Sequence, residues 1–372
     1  MKILHVVTSV WRGGGGVSEV VPRLCRAQVA LGHEVTLAVA KTETISREAE
    51  LAIAAGVAYV AFPRLKVLGR LALSPEFRKG IGALISSADV VHIHGLWQAP
   101  VWYAAAACRR LHKRYLMMPH GFLEPERLKL SAGKKKLIAR LIERRNLCSA
   151  AALVATSASE QDGIRRFGLS NPIHIMPIGL DLQPFQKPIP HAQKTLLYFS
   201  RITPIKGLDL LAEVWGSVDR QGWKLLIVGP DDRGYTEKMK ALYAAKCAPG
   251  SYEFRDPVFG SAKYELLASV DAMILPTRSE NWSIAVAEGM AAGLPVICTK
   301  GAPWECLVTA QAGYWVEISA AALRSAIEQL LALSDDERLA MGGRAHQWVK
   351  QNLSWDVIVQ RLIRFYDIIY LR

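Results

Sequence analysis

What the chain lacks narrows it first. Its six cysteines (Cys25, Cys108, Cys148, Cys247, Cys298 and Cys306) form no Cys-x-x-Cys pair, so they read as reduced and mostly buried thiols rather than a redox dithiol or a metal knuckle. No apolar run approaches the roughly 18–20 residues needed to cross a bilayer. Lys2–Val10 has the polarity of a short secretion signal. The glycines Gly13–Gly16 follow it directly and no cleavage site appears, so it reads as a first strand and the protein as cytoplasmic. There is no G-x-G-x-x-G, no Walker lysine and no Asp-x-Asp anywhere in the 372 residues. A dinucleotide fingerprint, a P-loop and the usual aspartate pair for a chelated divalent cation are all missing.

What is present is a globular composition, 51% hydrophobic and 21% charged, at a length that implies two cores. The net charge of +13 lies wholly in the first half. Residues 1–190 hold 26 Lys and Arg against 13 Asp and Glu; residues 191–372 hold 20 against 20. The densest stretch, Arg127 to Arg145, interleaves Lys134, Lys135, Lys136, Arg140, Arg144 and Arg145 with Leu137, Ile138, Leu141 and Ile142 at helical spacing. It reads as a basic amphipathic helix. Three readings stay open for it: a core-packed helix with a solvated face, an anionic membrane contact at about 1 kcal/mol per cation, or a nucleic-acid groove. No set of base-stacking aromatics interleaves the run, so no nucleic-acid partner is expected.

Both halves repeat strand, loop, helix. Strands are expected at Ile3–Ser9, Glu34–Ala40, Ala58–Phe62, Val90–His94, Tyr115–Met118, Leu153–Thr156 and Ile173–Met176. A second series follows at Thr195–Ser200, Lys224–Val228, Tyr252–Phe254, Asp271–Leu275, Pro295–Thr299 and Gly313–Val316. Amphipathic segments between them predict parallel, doubly wound sheets. Ile178–Lys194, with Pro184, Pro188 and Pro190, reads as the linker. The fold class is α/β, two Rossmann-like domains facing across a cleft. Residues 1–185 form the first and 186–354 the second. Ligands in such sheets bind beyond the carboxyl ends of the strands.

The segment from Ser279 to Ile297 is the most informative. Ser283 suits an N-cap and Gly293 the residue past a helix C-terminus. Glu280 then lies in the loop at the sheet edge and Glu288 about a turn and a half into the helix. Free N–H groups at the helix start suit phosphate. Carboxylates on either side would repel it, so Glu280 and Glu288 suit hydroxyl donors. Arg201 and Lys206, just past another strand end, suit a diphosphate. The loop from Arg12 through Gly15 and Gly16 is either a simple flexible turn or a place where backbone approaches a ligand. His92-x-His94 invites a metal reading but has no third ligand at a suggestive spacing. His120 ends a neighbouring strand and would point into the cleft. Asp231-Asp232 reads as a turn.

These residues resemble the large retaining glycosyltransferase family with two Rossmann-like domains, glycosyltransferases group 1, over nearly the whole chain. Gly14-Gly15-Gly16, Ala30 to Val35, His120-Gly121, Gly179 and Asp181, Arg201 with Lys206-Gly207, Val228-Gly229-Pro230 and Glu280 to Pro295 match in order. His92-Ile93-His94-Gly95 and Thr299 to Trp304 are similar to members that build bacterial lipopolysaccharide or exopolysaccharide. The resemblance implies that Arg201 and Lys206 bind a nucleotide-sugar diphosphate, with backbone N–H groups near Gly15, Gly16, Ser283 and Ile284. It implies Glu288 on the ribose, Glu280 on the transferred sugar, and His120 near the reacting carbon. It also implies a C-terminal helix, residues 355–372, crossing back to the first domain. One departure stands out: the family has glycine where this chain has Ser283, after Trp282.

The expected activity is that of a retaining hexosyltransferase needing no cofactor and no metal. The donor is a nucleoside diphosphate sugar, with a UDP-sugar favoured over a GDP-sugar, and the acceptor a glycan or lipid-linked glycan. Localisation is cytoplasmic, peripheral at the inner membrane through the basic run. The alternatives are a soluble sugar or sugar-phosphate acceptor and, more distantly, a nucleic-acid-binding module.

Overall fold

A computed structural model describes residues 1–12, 16–41, 44–65, 69–123, 142–182 and 193–370. It divides into two compact units, Met1–Gly179 with Trp355–Arg372, and Leu180–Ser354. The expected boundary at 185/186 falls outside the described residues, as do Gly15, Lys134, Lys135, Lys136 and Arg140.

The first unit holds a seven-stranded parallel sheet: β1 (Lys2–Val6), β2 (Glu34–Ala40), β3 (Ala58–Phe62), β4 (Val90–His94), β5 (Leu116–Met118), β6 (Ala152–Ala155) and β7 (Ile173–Ile175). Their spatial order is β3-β2-β1-β4-β5-β6-β7. The central strands read as continuous apolar runs because helices cover both faces, which leaves no solvated side to alternate toward. Order reverses between β1 and β4, where His5 pairs in register with His92. Side chains two apart share a face, so His92 and His94 both lie on the side that His5 takes. The helix Trp355–Tyr370 returns to this unit as expected, burying Trp355, Ile358, Val359, Leu362 and Tyr366. Tyr370 Oη accepts from Val91 N at 3.1 Å, and Arg114 Nη1 donates to Ile369 O at 2.6 Å.

The second unit repeats the plan with β8 (Thr195–Phe199), β9 (Lys224–Val228), β10 (Tyr252–Arg255), β11 (Ala272–Leu275), β12 (Val296–Thr299) and β13 (Gly313–Val316), ordered β10-β9-β8-β11-β12-β13. Its reversal point lies between β8 and β11. The helix Ile284–Ala291 stops as its sequence predicts. Gly293 takes φ 80°, its N–H bonds Met290 O, and Leu294 N bonds Gly289 O, both at 3.0 Å; this is a Schellman closure. No described helix is long and apolar enough to cross a membrane.

Candidate active site

The edge of the second sheet gathers Arg201, Lys206, Glu280, Ser283, Ile284 and Glu288. Lys206 ends a short 3-10 turn, Pro204–Lys206, that only a glycine can follow. Gly207 has φ 71°, and a Cβ there would collide with the carbonyl oxygen of Pro276. That close approach locks the lysine loop onto the loop after β11. Arg278 N donates to Ile205 O at 2.8 Å, and the Arg278 guanidinium holds both Asp209 oxygens at 2.7 and 2.9 Å. Lys206 is buried, and its Nζ touches the carboxylate of Glu280. Burial, and after it the charge of Arg201, pulls the Lys206 ammonium down to about 8.

Glu288 is also lysine-bound. Lys263 Nζ donates to its Oε1 at 2.5 Å, from the helix Ser261–Ala268. Two carboxylates predicted as hydroxyl acceptors are thus each held by an ammonium. Another face of the helix Ser261–Ala268 lines a cavity of about 720 Å³, with Val228, Phe254, Arg255, Asp256, Glu265 and Leu266 among its walls.

Ser283 is a correction to the sequence reading. It occupies the N-cap position of Ile284–Ala291, but with φ 58° and ψ 87° and no side-chain capping bond. A capping hydroxyl needs an extended backbone to reach back over the first turn. Here Glu280 N is tied to Gly301 O at 2.7 Å, and Trp304 Nε1 holds Trp282 O at 2.7 Å. Trp282 packs on Trp304 with ring centroids 4.7 Å apart. The chain therefore arrives at the helix left-handed, a conformation costing a side-chain-bearing residue about 1–2 kcal/mol. Asp231 is the turn it was expected to be, accepting from Gly234 N at 2.5 Å and Thr236 N at 2.7 Å.

In the first unit Gly16 opens the helix Gly16–Ala30, with open space where a Cβ would stand. His120 follows β5 at φ 56°. Its loop is held by Glu160, whose Oε1 accepts from Gly121 N at 2.5 Å while Oε2 accepts from Thr156 N at 2.7 Å. His120 Nε2 lies 3.0 Å from His94 Nδ1, His94 Nε2 lies 2.8 Å from His5 Nδ1, and His5 Nε2 lies 2.7 Å from Gln28 Oε1. His92 Nδ1 lies 2.7 Å from Tyr366 Oη. Desolvation draws His5 and His120 down to about 4 and His92 and His94 well below the ordinary histidine value. The file is neutral at pH 7.

The third histidine that the spacing of His92 and His94 could not supply is His5. Among the described residues these three bring ring nitrogens within 4.8 Å of one another. Their rings stack, His92 on His94 at 4.3 Å and 27°, His5 on His94 at 5.1 Å and 25°. Ring lone pairs lie in plane, so near-parallel rings aim them side by side rather than at one point. The geometry is that of a hydrogen-bonded file.

The family model for Glycosyltransferase Family 4 matches residues 14–184, and the one for Glycosyl transferases group 1 matches residues 193–333. The chain belongs to the group 1 glycosyltransferases. A curated relative of this glycosyltransferase in Xanthomonas oryzae pv. oryzae is named GDP-mannose:cellobiosyl-diphosphopolyprenol alpha-mannosyltransferase. It is 24% identical over 375 positions, covering 98% of this chain and 96% of its own. A Mycobacterium tuberculosis relative, named as a GDP-mannose-dependent alpha-(1-6)-phosphatidylinositol monomannoside mannosyltransferase, is 31% identical over 226 positions, 54% of this chain and 57% of its own. In fold, the glycosyltransferase matches the sucrose-phosphate synthase of Thermosynechococcus elongatus with a TM-score of 0.74 at 19% identity, over 100% of this chain and 99% of that one.

Sequence reasoning on this glycosyltransferase missed Lys263, Glu160, His5 and Gln28. Lys263 and Glu160 carry no motif of their own. His5 could have been found by pairing the first strand with the fourth, as a sheet that reverses at its first strand requires; Gln28, on the helix Gly16–Ala30, could not.

Proposed function

We propose that this glycosyltransferase moves a mannosyl group from GDP-mannose to a hydroxyl of a glycan carried on a lipid diphosphate, with retention at the transferred carbon. The observation that carries the reading is the pair of lysine-bound carboxylates, Lys206–Glu280 and Lys263–Glu288, flanking the start of the helix Ile284–Ala291. A donor diphosphate entering that edge offers Lys206 a better anion than Glu280. Transfer of the lysine to phosphate frees Glu280 to accept from sugar hydroxyls, so diphosphate and sugar are recognised by one exchange of partners. Arg201 and the N–H groups of Ser283 and Ile284 complete the anion seat, and Glu288 takes the ribose hydroxyls. Fixed cations stabilise most where charge grows, here on the departing diphosphate. We assign no metal to this step.

GDP rather than UDP is favoured by the mannosyltransferase relatives, one of which aligns over nearly the full length. The Asp256 carboxylate, in the cavity lined by the helix Ser261–Ala268, suits the adjacent N–H donors of a guanine edge. His120 is placed by this reading against the sugar, and the leaving phosphate takes the acceptor's proton in a front-face attack. The excess positive charge of residues 1–190 suits an acceptor on an anionic membrane surface. Arg144 and Arg145, both exposed, belong to that charge.

The test is a donor screen by thermal melting. GDP-mannose is expected to stabilise the protein more than UDP-glucose or ADP-glucose, and Asp256→Ala to narrow that preference. Stabilisation by UDP-glucose alone overturns the donor assignment. Transfer is expected to survive EDTA, and a strict Mn²⁺ or Mg²⁺ requirement contradicts the metal-free step.

A further inference from the structure

The donor reading uses the charged edge of the second unit and leaves unexplained a file of buried polar groups in the first. His5 and Gln28 are fully buried and His94 nearly so. Polar groups so placed cost stability unless each bond is made, and here the bonds run in one line from Gln28 through His5 and His94 to His120.

The line has a direction. A neutral imidazole carries one N–H and one lone pair, and an amide oxygen only accepts. With Gln28 Oε1 facing it, His5 carries its proton on Nε2 and accepts on Nδ1. His94 then donates from Nε2 to His5 and accepts on Nδ1. His120 in turn donates from Nε2 to His94. Its remaining nitrogen, Nδ1, is a bare lone pair with no partner among the described residues. The far end is anchored as well: Gln28 Nε2 lies 3.5 Å from Tyr366 Oη, which also meets His92 Nδ1. The near end is held by Glu160 on Gly121 N.

We infer that Gln28, His5 and His94 are positioning residues that hold His120 as its Nε2–H tautomer, presenting Nδ1 to the substrate strictly as a hydrogen-bond acceptor. A group that only accepts selects a hydroxyl and rejects a phosphate or carbonyl oxygen. The inference rests on the proposed function in one respect, that the hydroxyl is one of the transferred sugar. Tyr366 makes the C-terminal helix part of the same device, since that helix closes the buried end of the file.

Nitrogen-15 NMR of the intact chain with labelled histidine, without substrate at neutral pH, tests it. His120 is expected as one tautomer, Nε2 protonated and Nδ1 bare. Gln28→Leu removes the fixed acceptor and is expected to move the two His120 ring nitrogens toward each other. Gln28→Glu keeps an acceptor oxygen and is expected to return them. With GDP-mannose as donor, Gln28→Leu should lower kcat/KM about tenfold, the order of one lost hydrogen bond; Gln28→Glu should recover most of the loss. If Gln28→Leu does not melt cooperatively, His5→Phe breaks the same file one link later and carries the same expectations. His120 found with Nδ1 protonated, or ring nitrogens unmoved when the file is broken, overturns the inference. The NMR readout needs no donor. A chain that shows the tautomer shift but consumes no GDP-mannose therefore keeps the positioning file and discards the donor reading.

Discussion

The two units share a strand order around their reversal points and use it for opposite electrostatics. Beside β1 and β4 the buried polar groups are neutral: His94, His5 and Gln28 are bonded in a line, His92 bonds Tyr366 Oη while its Nε2 has no partner among the described residues, and every histidine is drawn below its ordinary titration range. Beside β8 and β11 they are ionised: Lys206 with Glu280 and Lys263 with Glu288. A neutral file holds a geometry, because each bonded ring fixes the tautomer of the next. An ion pair at a sheet edge can be exchanged, because a diphosphate is a stronger partner than a carboxylate. The fold thus supplies two equivalent positions, and on the proposed reading the side chains make one fixed and the other exchangeable.

The sharpest way to break that contrast is to remove the exchangeable cation. Lys206→Ala is expected to lower turnover by about a hundredfold to a thousandfold, the cost of one donor to a developing anion, with cooperative melting retained; near-normal kinetics would remove the charged edge from the reaction. Glu288→Gln is expected to act on binding instead. Losing a charge-assisted bond of about 1.5–3 kcal/mol should raise the donor KM roughly tenfold or more with kcat less affected. A fall in kcat alone would move Glu288 from the ribose to the reacting centre.

The neutral file makes a prediction about acid. Its histidines titrate lower folded than unfolded, so the unfolded chain binds more protons below pH 6.5 and stability falls as pH drops from there toward about 4. For His5 alone this is on the order of 3 kcal/mol over the window. Chemical denaturation at stepped pH should find it, and a flat profile between pH 6.5 and 4 would mean the file is charged. At the other edge, Lys206 at about 8 predicts that donor turnover declines as pH rises through that value. The smallest effect concerns Ser283. Ser283→Gly relieves a left-handed side chain but loosens the unfolded chain, so a net gain below about 1 kcal/mol is expected, with a lower donor KM if the extra Cβ crowds the phosphate.

Much of this was legible before any coordinates. Every expected strand is present, and Ala58–Phe62, Val90–His94, Lys224–Val228 and Gly313–Val316 keep their limits. Buried parallel strands announce themselves as short apolar runs between helical patterns. Gly293 and the helix it ends were also readable, since Schellman closure is local. The unreadable part was everything that depends on which strand lies next to which. His5 meets His92 only through the β1–β4 register, and Lys263 reaches Glu288 only across neighbouring helices. Ser283 misled for a related reason. Its residue type suits a cap, but Trp282 and Glu280 are pinned by Trp304 and Gly301 from later in the chain, and those tethers set its backbone.

The central claim, that a nucleoside diphosphate sugar displaces Glu280 from Lys206, is tested most directly by melting the protein and its Lys206→Ala variant with GDP-mannose. At about 100 times Kd the ligand should add about 2.7 kcal/mol to the unmodified protein, and most of that should vanish in Lys206→Ala. Equal stabilisation of the two, or none of the unmodified protein by any nucleoside diphosphate sugar, would contradict the account.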